Sequence, residues 1–509
     1  MPPTHRARPR EGMLAPDSGR MVLVLTLGLA SMVVAMMQTL VVPILSVIQR
    51  DLSLAPSTVG WLTTATLLSA AVFTPLLGRL GDQRGKRPVL LGVLALTVAG
   101  SVLAAATDSL ALLITARVLQ GASTAIFPLA LSVLRDELPP YRLPGAMGLV
   151  SGTLAFGSGF ALVGAGLLTQ GADPDYHRVF WLATALSVVA LAAVAVVVPP
   201  SAGATGGRTD WWGAATLAAA LVLLLLPVSQ GNLWGWGSAG TVGCLVGAAV
   251  MSGVWVLVER RVKDPMVDMR MFVLRPVLHT NIAGVLLGFG MFTQFIGISY
   301  LVQTPAELAG YGFGASVLRA SVLYLLPGAV ASLVAAQLGG ALVRRIGARV
   351  TLAAGAGAGV LGFAWLALAH GTTASVVVAG ILTGIAVSFG FATLPAFIVA
   401  GVPVHQSGIA NGINSIARSV GSSVGSAVIT TLLTANTLPG LPPGAPRLPA
   451  EGQYTLSFGL GALAFALVVL VALAGLNLDR AAEAGHTVVE SRSPSAERAE
   501  RGNAPARVV

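Results

Sequence analysis

The stretch "GRLGDQRGKRPVLL", residues 78–91, places a cluster of charge between two long apolar runs. It contains three glycines and five charged residues, which are Arg79, Asp82, Arg84, Lys86 and Arg87. Of the 509 residues in the chain, 55% are hydrophobic and only 10% are charged, and the mean hydropathy is +0.82. An α-helix needs about 20 apolar residues to cross roughly 30 Å of hydrocarbon. The sequence therefore predicts that this stretch is a turn between two membrane helices, held at the water boundary by its charge.

Apolar runs of similar length recur along the chain and predict an all-α polytopic membrane protein with fourteen spans. Their approximate extents are 21–47, 58–78, 88–107, 110–134, 143–169, 178–198, 211–229, 239–258, 277–303, 315–340, 348–369, 374–400, 406–434 and 454–476. We expect two six-helix bundles, 21–198 and 277–476, joined by two linker helices and a cytoplasmic loop within 199–276. The flanking segments 1–20 and 477–509 are rich in Arg, Glu, Pro and Ser, which is typical of disordered tails.

The positions of the basic residues predict the orientation of these spans. If the N-terminus is cytoplasmic, the cytoplasmic segments carry 24 of the 30 Lys and Arg, and the outside loops carry only 3. This distribution predicts that both termini are cytoplasmic. The net charge of +10 does not indicate a nucleic-acid partner, because soluble nucleic-acid binders cluster their basic residues on one folded polar face.

An internal repeat relates the two predicted bundles. Shifting the opening stretch by 262 positions places Gly78 on Gly340 and Gly85 on Gly347. The second copy has Arg344 at the position of Asp82, so we expect it to keep the turn and lose the carboxylate. Duplicated halves are typical of secondary transporters, whose substrate site lies near the membrane midplane.

The chain contains no pattern typical of a catalytic or cofactor site. Cys244 is the only cysteine, which excludes a disulfide framework and a Cys-based metal site. The six histidines are scattered along the chain, and "GAGVLG" (357–362) lies inside an apolar run, without the strand that a dinucleotide-binding loop requires. We therefore expect no metal, no cofactor and no enzymatic activity.

Three motifs carry a resemblance to a known family. The opening stretch resembles the loop after the second helix in the major facilitator superfamily, G-x-L-x-D-x-x-G-R/K-R/K. "LLITARVLQGASTAIFP" (112–128) resembles its fourth-helix pattern R-x-x-Q-G, carried by Arg117, Gln120 and Gly121. "ERRVKDPMVDMRMF" (259–272) is similar to a loop of its fourteen-span drug:proton antiporters, which have two extra helices between their halves. The resemblance covers roughly residues 20–476 and implies that fold.

The resemblance also implies a function. It implies export of a small amphipathic compound, such as a drug or an antibiotic, by alternating access coupled to proton antiport, with the protein acting as a monomer in the bilayer. The abundance of Arg over Lys, and of Ala and Gly, suggests the cytoplasmic membrane of a bacterium with a GC-rich genome. Two alternatives remain open, namely a metabolite importer of the same fold and a membrane sensor or scaffold that transports nothing.

The family resemblance assigns the conformational residues. It implies that Asp82, Arg84, Lys86 and Arg87 latch the two halves in the outward-facing state; the alternative is a solvated turn. Arg117 is expected to take part in proton handling or substrate response. A charge within a span costs from about 3 to more than 10 kcal/mol unless it faces a cavity or a partner, so the alternative is a structural arginine that binds helix carbonyls.

Polar residues within the apolar runs are the candidates for substrate contact. They are Gln38, Gln120, Gln294, Gln303 and Arg418, together with Arg117. Several glycines are expected to allow turns or close helix packing. These are Gly78, Gly85, Gly121, Gly148, Gly152, Gly421 and Gly425.

The first helix lacks the aspartate that these antiporters commonly carry. In "MMQTLVVPILS" (36–46), Met37 occupies that position and Gln38 follows it, so neither side chain can titrate. Of the twenty acidic residues, only Asp82 and Glu307 are predicted to lie close to a span. We hypothesise that Glu307 exchanges the proton or helps Arg117 to do so; the alternative is a carboxylate at the rim in open water.

Overall fold

The computed structural model describes residues 17–54, 56–170, 174–200, 210–262, 274–402, 407–439 and 448–475. The predicted tail 1–20 is wrong at its end, because residues 17–20 belong to a helix; its residues 1–16, the predicted tail 477–509 and most of the 259–272 link lie outside the described residues. Within the described ranges the secondary structure is helical, and thirteen helices are long and apolar enough to cross a membrane.

We number the spans in chain order. They are α1 (Asp17–Thr39), α2 (Trp61–Arg84), α3 (Lys86–Ala105), α4 (Leu110–Glu137), α5 (Leu143–Leu168), α6 (Tyr176–Val197), α7 (Trp211–Trp234), α8 (Ala239–Arg261), α9 (Arg275–Gln303), α10 and α11 (together Ala320–Leu368), α12 (Thr373–Gly401), α13 (Ser407–Ala435) and α14 (Glu451–Gly475). Short helices also occur at Leu45–Asp51, Pro56–Val59, Ala306–Ala309 and Val317–Arg319.

Gly347 divides the Ala320–Leu368 segment into two spans. A continuous helix of 49 residues would be about 74 Å long, more than twice the thickness of the hydrocarbon core. Gly347 has φ 82° and ψ 158°, which ends α10 and begins α11. Gly85, its counterpart in the sequence repeat, has φ 101° and ψ 144° between α2 and α3. The same left-handed backbone therefore makes both turns, and the segment counts as two of fourteen spans.

The first predicted span, 21–47, is wrong at its C-terminal end. The helix α1 ends at Thr39 and is followed by a 3₁₀ turn, Val42–Ile44, and the short helix Leu45–Asp51. Pro43 lies in this turn and has no backbone N–H to continue the α-helical hydrogen bonds. The chain bends here, and Pro43 comes to line a cavity described below.

Close glycine contacts join the first six spans to the last six. Adding a Cβ atom at Gly148 of α5 would place it 2.5 Å from the carbonyl oxygen of Ala336 in α10. At Gly152 the same addition would meet the Ala336 side chain. Within the last six spans, Gly421 of α13 lies against the backbone of Val285 in α9. Larger side chains would separate these helices.

The two extra helices pack at the edge of the assembly. Only 11% of an apolar stretch of 18 residues in α8 is buried, so most of its surface is left for lipid. The helix α7 contributes Leu217, Leu221 and Leu225 to an apolar cluster with Ala71 of α2 and Ile413 of α13. The linker helices therefore dock where the first six spans meet the last six.

Candidate functional site

Three adjoining cavities run from the middle of the helix assembly to one of its ends. The deep cavity, of about 70 Å³, and the middle cavity, of about 110 Å³, are both lined by Ser158 and Met291. The mouth cavity, of about 710 Å³, shares Leu162, Phe295 and Leu325 with the middle one. Successive cavities with common walls form a path through the centre of the protein.

The mouth cavity opens at the end of the assembly opposite to the arginine-rich loops. Its wall includes Pro43 after α1, Thr304 after α9 and Pro449 before α14. Tyr311, in the loop after α9, donates a hydrogen bond to the Pro449 carbonyl oxygen, and burial raises the pKa of its phenol. We call the other end, where α2, α4 and α10 meet their basic loops, the basic end.

Arg418 of α13 lines the deep cavity. Its guanidinium lies 5.3 Å from the ring centre of Phe127 in α4 and 4.8 Å from that of Phe391 in α12. It donates to Ser415 Oγ at 3.2 Å and to Asn414 Oδ1 at 3.5 Å, which is a long contact. The helices α4, α12 and α13 thus hold one cation at the meeting point of the two halves.

Three of the four predicted glutamines lie along the path. Gln38 of α1 lines the deep cavity, Gln294 of α9 lines the middle one, and Gln303 lines the mouth. Gln294 donates to the Gly380 carbonyl oxygen at 3.2 Å, and Gln303 donates to Ser299 at 2.9 Å. Each keeps its amide oxygen for another partner.

Arg117 and Gln120 lie elsewhere, in a closed cluster between α1, α2, α3 and α4. Arg117 is 1% exposed and donates to the carbonyl oxygens of Leu62 at 3.1 Å and Met37 at 2.9 Å. It also donates to Gln120 Oε1 at 2.6 Å, and Gln120 donates to Ser101 Oγ at 3.0 Å. Neither residue is part of the described walls of the three cavities. The geometry is that of an arginine bound to helix carbonyls.

Asp82 joins the end of α2 to the beginning of α13. The backbone N–H of Ile409 donates to Asp82 Oδ2 at 3.2 Å, and Asp82 is only 4% exposed. The N-terminus of a helix carries partial positive charge and unpaired N–H groups, so a carboxylate is favourable there.

Arg135 makes a second contact between the halves, which the sequence analysis did not single out. Its Nη2 donates to the carbonyl oxygens of Val399 at 2.7 Å and Val402 at 3.1 Å, where α12 ends. A helix C-terminus carries partial negative charge and favours a cation. Asp82 and Arg135 therefore hold the two helix ends that flank residues 403–406. In the sequence, Arg135 is one of many basic residues at span ends, and no local signal distinguishes it.

Lys86 and Arg87 of the opening stretch make contacts within the first six spans. Lys86 is buried and donates to Asp136 Oδ2 of α4 at 2.5 Å. Arg87 donates to the Ala195 carbonyl oxygen in α6 at 2.7 Å. Arg84 is exposed. Asp82 is therefore the member of the predicted latch for which the structure gives a contact across the halves.

Comparison with known sequences identifies the family. The sequence profile of the Major Facilitator Superfamily matches residues 27–426 and 278–500, which together cover most of the chain. The chain belongs to this superfamily. It is accordingly a multi-pass membrane protein, and the superfamily's members are transporters and not enzymes.

Individual relatives and a solved structure agree with this assignment. An uncharacterized MFS-type transporter of Mycobacterium tuberculosis is 30% identical over 342 residues, which are 66% of this chain and 48% of the relative, so the match spans about half the length of that relative. The tetracenomycin C resistance and export protein of Streptomyces glaucescens is 26% identical over 405 residues, 77% of this chain and 72% of that protein. The crystal structure of the human organic anion transporter MFSD10 matches with a TM-score of 0.62 over 89% of this chain and all of that one. At 16% identity, this last likeness concerns the fold alone.

In the sequence repeat, Arg344 occupies the position that corresponds to Asp82 and carries the opposite charge. Arg344 lies beside Gly145, in the first turn of α5, where an added Cβ atom would be 2.9 Å from Arg344 Nη1. Asp82 meets a helix N-terminus with a negative charge, whereas Arg344 meets one with a positive charge. The basic end of this superfamily member is therefore electrostatically asymmetric.

The acidic residues of this superfamily member that the structure describes lie at span ends or outside the spans. Glu307 is exposed on the short helix Ala306–Ala309. The prediction that only Asp82 and Glu307 lie close to spans is wrong, because α4 and α8 extend beyond their apolar runs and include Asp136 and Glu259. Glu259 accepts a hydrogen bond from Trp255 Nε1 at 3.0 Å.

Proposed function

We propose that the protein exports a small amphipathic compound across the cytoplasmic membrane of a bacterial cell by alternating access. The observation that supports this most strongly is the asymmetry of the path. Adjoining cavities extend from Arg418 to the mouth, whereas charged contacts to helix ends join the two halves at the basic end.

The positive-inside rule assigns the basic end to the cytoplasm, because the predicted cytoplasmic segments carry 24 of the 30 Lys and Arg. With that orientation both termini are cytoplasmic, and the conformation described here faces outward. The substrate would leave through the mouth cavity. It would enter after the basic end has opened.

The contacts at the basic end are suited to a reversible closure. A charge at a helix end contributes about 0.3–2 kcal/mol, which is strong enough to bias a conformation and weak enough to be broken in each cycle. Asp82 binds the N-terminus of α13 and Arg135 binds the C-terminus of α12, so separating the halves breaks both contacts together. Lys86 would act indirectly, by fixing Asp136 and the end of α4 that carries Arg135.

The direction of transport rests on the relatives. The cavities alone do not distinguish export from import, because an importer of the same fold would have the same cavities. The Streptomyces glaucescens relative is named as a resistance and export protein, which favours export. A sensor or scaffold would not need a path that is open at one end and closed at the other. Export is therefore the best supported of the three functions.

We further propose that proton antiport supplies the energy and that the protein acts as a monomer. Glu307 stays the candidate proton exchanger, although its position on an exposed helix outside the spans equally fits a carboxylate at the rim. Arg117 would contribute by fixing α1, α2 and α4 relative to one another.

Accumulation of fluorescent compounds in cells without their own efflux pumps tests the proposal. The panel should contain acidic, neutral and basic dyes, and the control is an empty vector. An exporter lowers the cellular accumulation of at least one dye, and this effect requires an energised membrane. Raised accumulation would identify an importer, and unchanged accumulation of every dye would favour the sensor or scaffold.

A further inference from the structure

The described walls of the three cavities carry charge of one sign only. Among the described residues that line the three cavities, Arg418 is the only charged one. No Asp or Glu of the described chain contributes to these walls, and the acidic residues lie at span ends or in loops. A cationic compound in the deep cavity would therefore meet a positive charge and no carboxylate.

The surroundings of Arg418 leave part of its charge unbalanced. A guanidinium has five N–H donors, and here it makes two hydrogen bonds, both to neutral oxygens. The rings of Phe127 and Phe391 give additional cation–π attraction. In the part of the chain that the structure describes, no carboxylate pairs with Arg418. A cation in this position attracts an anion.

Thr124 supplies an independent observation in the same cavity. It lines the deep cavity and is 5% exposed, yet its hydroxyl has no hydrogen-bond partner among the described groups. An unpaired buried hydroxyl costs about 1–3 kcal/mol, which a ligand atom can offset. Ser419 and Ser158, in the same wall, already donate to carbonyls of their own helices.

We propose that the exported compound is an organic anion whose acidic group binds Arg418 and Thr124. Its apolar body lies along Phe127, Phe391 and Met291 and continues into the middle cavity. The deep cavity, at about 70 Å³, has room for an acidic group and a few further atoms, and the adjoining cavities take the rest. This inference rests on the proposed export function and names its substrate class.

Two dyes of similar xanthene skeleton and opposite charge provide the test. Fluorescein is an anion and rhodamine 123 is a cation at pH 8. Binding is measured by the thermal stability of the purified full-length protein, and transport by dye movement in proteoliposomes. We expect fluorescein to bind about tenfold or more tightly than rhodamine 123, a difference of about 1.4 kcal/mol or more.

Variants of two residues that line the deep cavity test whether this cavity causes the preference for fluorescein. Arg418→Gln should remove the preference for fluorescein, Arg418→Lys should retain part of it, and Thr124→Val should weaken fluorescein binding severalfold. Arg319→Gln removes the same charge from an exposed position and should leave both dyes unaffected. If Arg418→Gln does not elute as a monodisperse protein, the partial loss of the preference for fluorescein in Arg418→Lys tests the proposal instead.

The outcomes separate the substrate class from the export function. Transport of rhodamine 123 without fluorescein would overturn the anion proposal and leave export standing. Fluorescein binding that depends on Arg418, without movement of any dye, would support the anion site and contradict export. Binding of neither dye, or a fluorescein affinity that Arg418→Gln does not change, would overturn the anion site.

Discussion

Arg117 and Arg418 are both arginines buried within membrane spans, and they differ in what surrounds them. Arg117 binds two main-chain carbonyls and Gln120 inside the first six spans. Arg418 contacts two aromatic rings and two neutral side chains and lines a cavity. The cost of burying a charge explains why each needs partners, but of the two only Arg418 has its remaining donors beside a cavity. A buried charge therefore indicates a site only when it has unused donors and also lines a cavity.

The largest expected effect is that of Arg117→Ala. It leaves the carbonyls of Leu62 and Met37 and the amide of Gln120 without their donor, so we expect a loss of about 3 kcal/mol or more in the free energy of unfolding. Transport should be abolished, and Arg117→Lys should restore it only in part, because an ammonium cannot reproduce the planar donor fork. Thermal unfolding in detergent and dye transport are the measurements.

Arg418→Gln is the matched comparison for this prediction. It should reduce transport while changing the free energy of unfolding by no more than about 1 kcal/mol, since the hydrogen bonds it loses are few and one of them is long. Equal losses of stability in the two variants would show that the surroundings of the two arginines do not distinguish their roles.

A smaller effect on stability and transport is expected for substitutions at the basic end, where the charged residues contact helix ends and do not lie in the middle of a span. Asp82→Asn and Arg135→Gln each remove one charge and little volume, so membrane abundance should be unchanged while the transport rate falls severalfold. The accessibility of a cysteine introduced on the cytoplasmic side should rise in both variants, because the outward-facing state loses about 0.3–2 kcal/mol per contact.

Arg84→Gln is the control for the basic end, because it removes a charge from an exposed position in the same loop. It should leave accessibility and transport close to those of the original protein. Normal transport in Asp82→Asn would mean that the opening stretch is a solvated turn and that Asp82 does not control the cycle.

The smallest expected structural effect is that of Glu307→Gln, because this exposed carboxylate lies outside the spans. If Glu307 exchanges the proton, the variant in proteoliposomes loses substrate-driven proton movement and keeps substrate exchange. Continued proton movement would exclude Glu307. Its absence from the original protein as well would mean that another ion, or the membrane potential, drives transport.

The sequence by itself determined the elements that depend on local chemistry. Runs of about twenty apolar residues predict spans because no other regular structure hides its backbone from lipid so simply. Gly85 and Gly347 mark both copies of the repeated turn, because each takes a backbone conformation that favours glycine. Arg117, Gln120 and Gly121 carried the family resemblance without revealing that the first two form a closed cluster.

The tertiary structure decided which polar groups meet. Asp82 lies 327 positions from Ile409, and Arg135 lies 264 from Val399, so no local pattern could pair them. Arg117 and Arg418 look alike in the sequence, since each is an arginine within an apolar run. Their difference depends on whether neighbouring helices present carbonyls or leave a cavity, and only the packing of distant spans decides that.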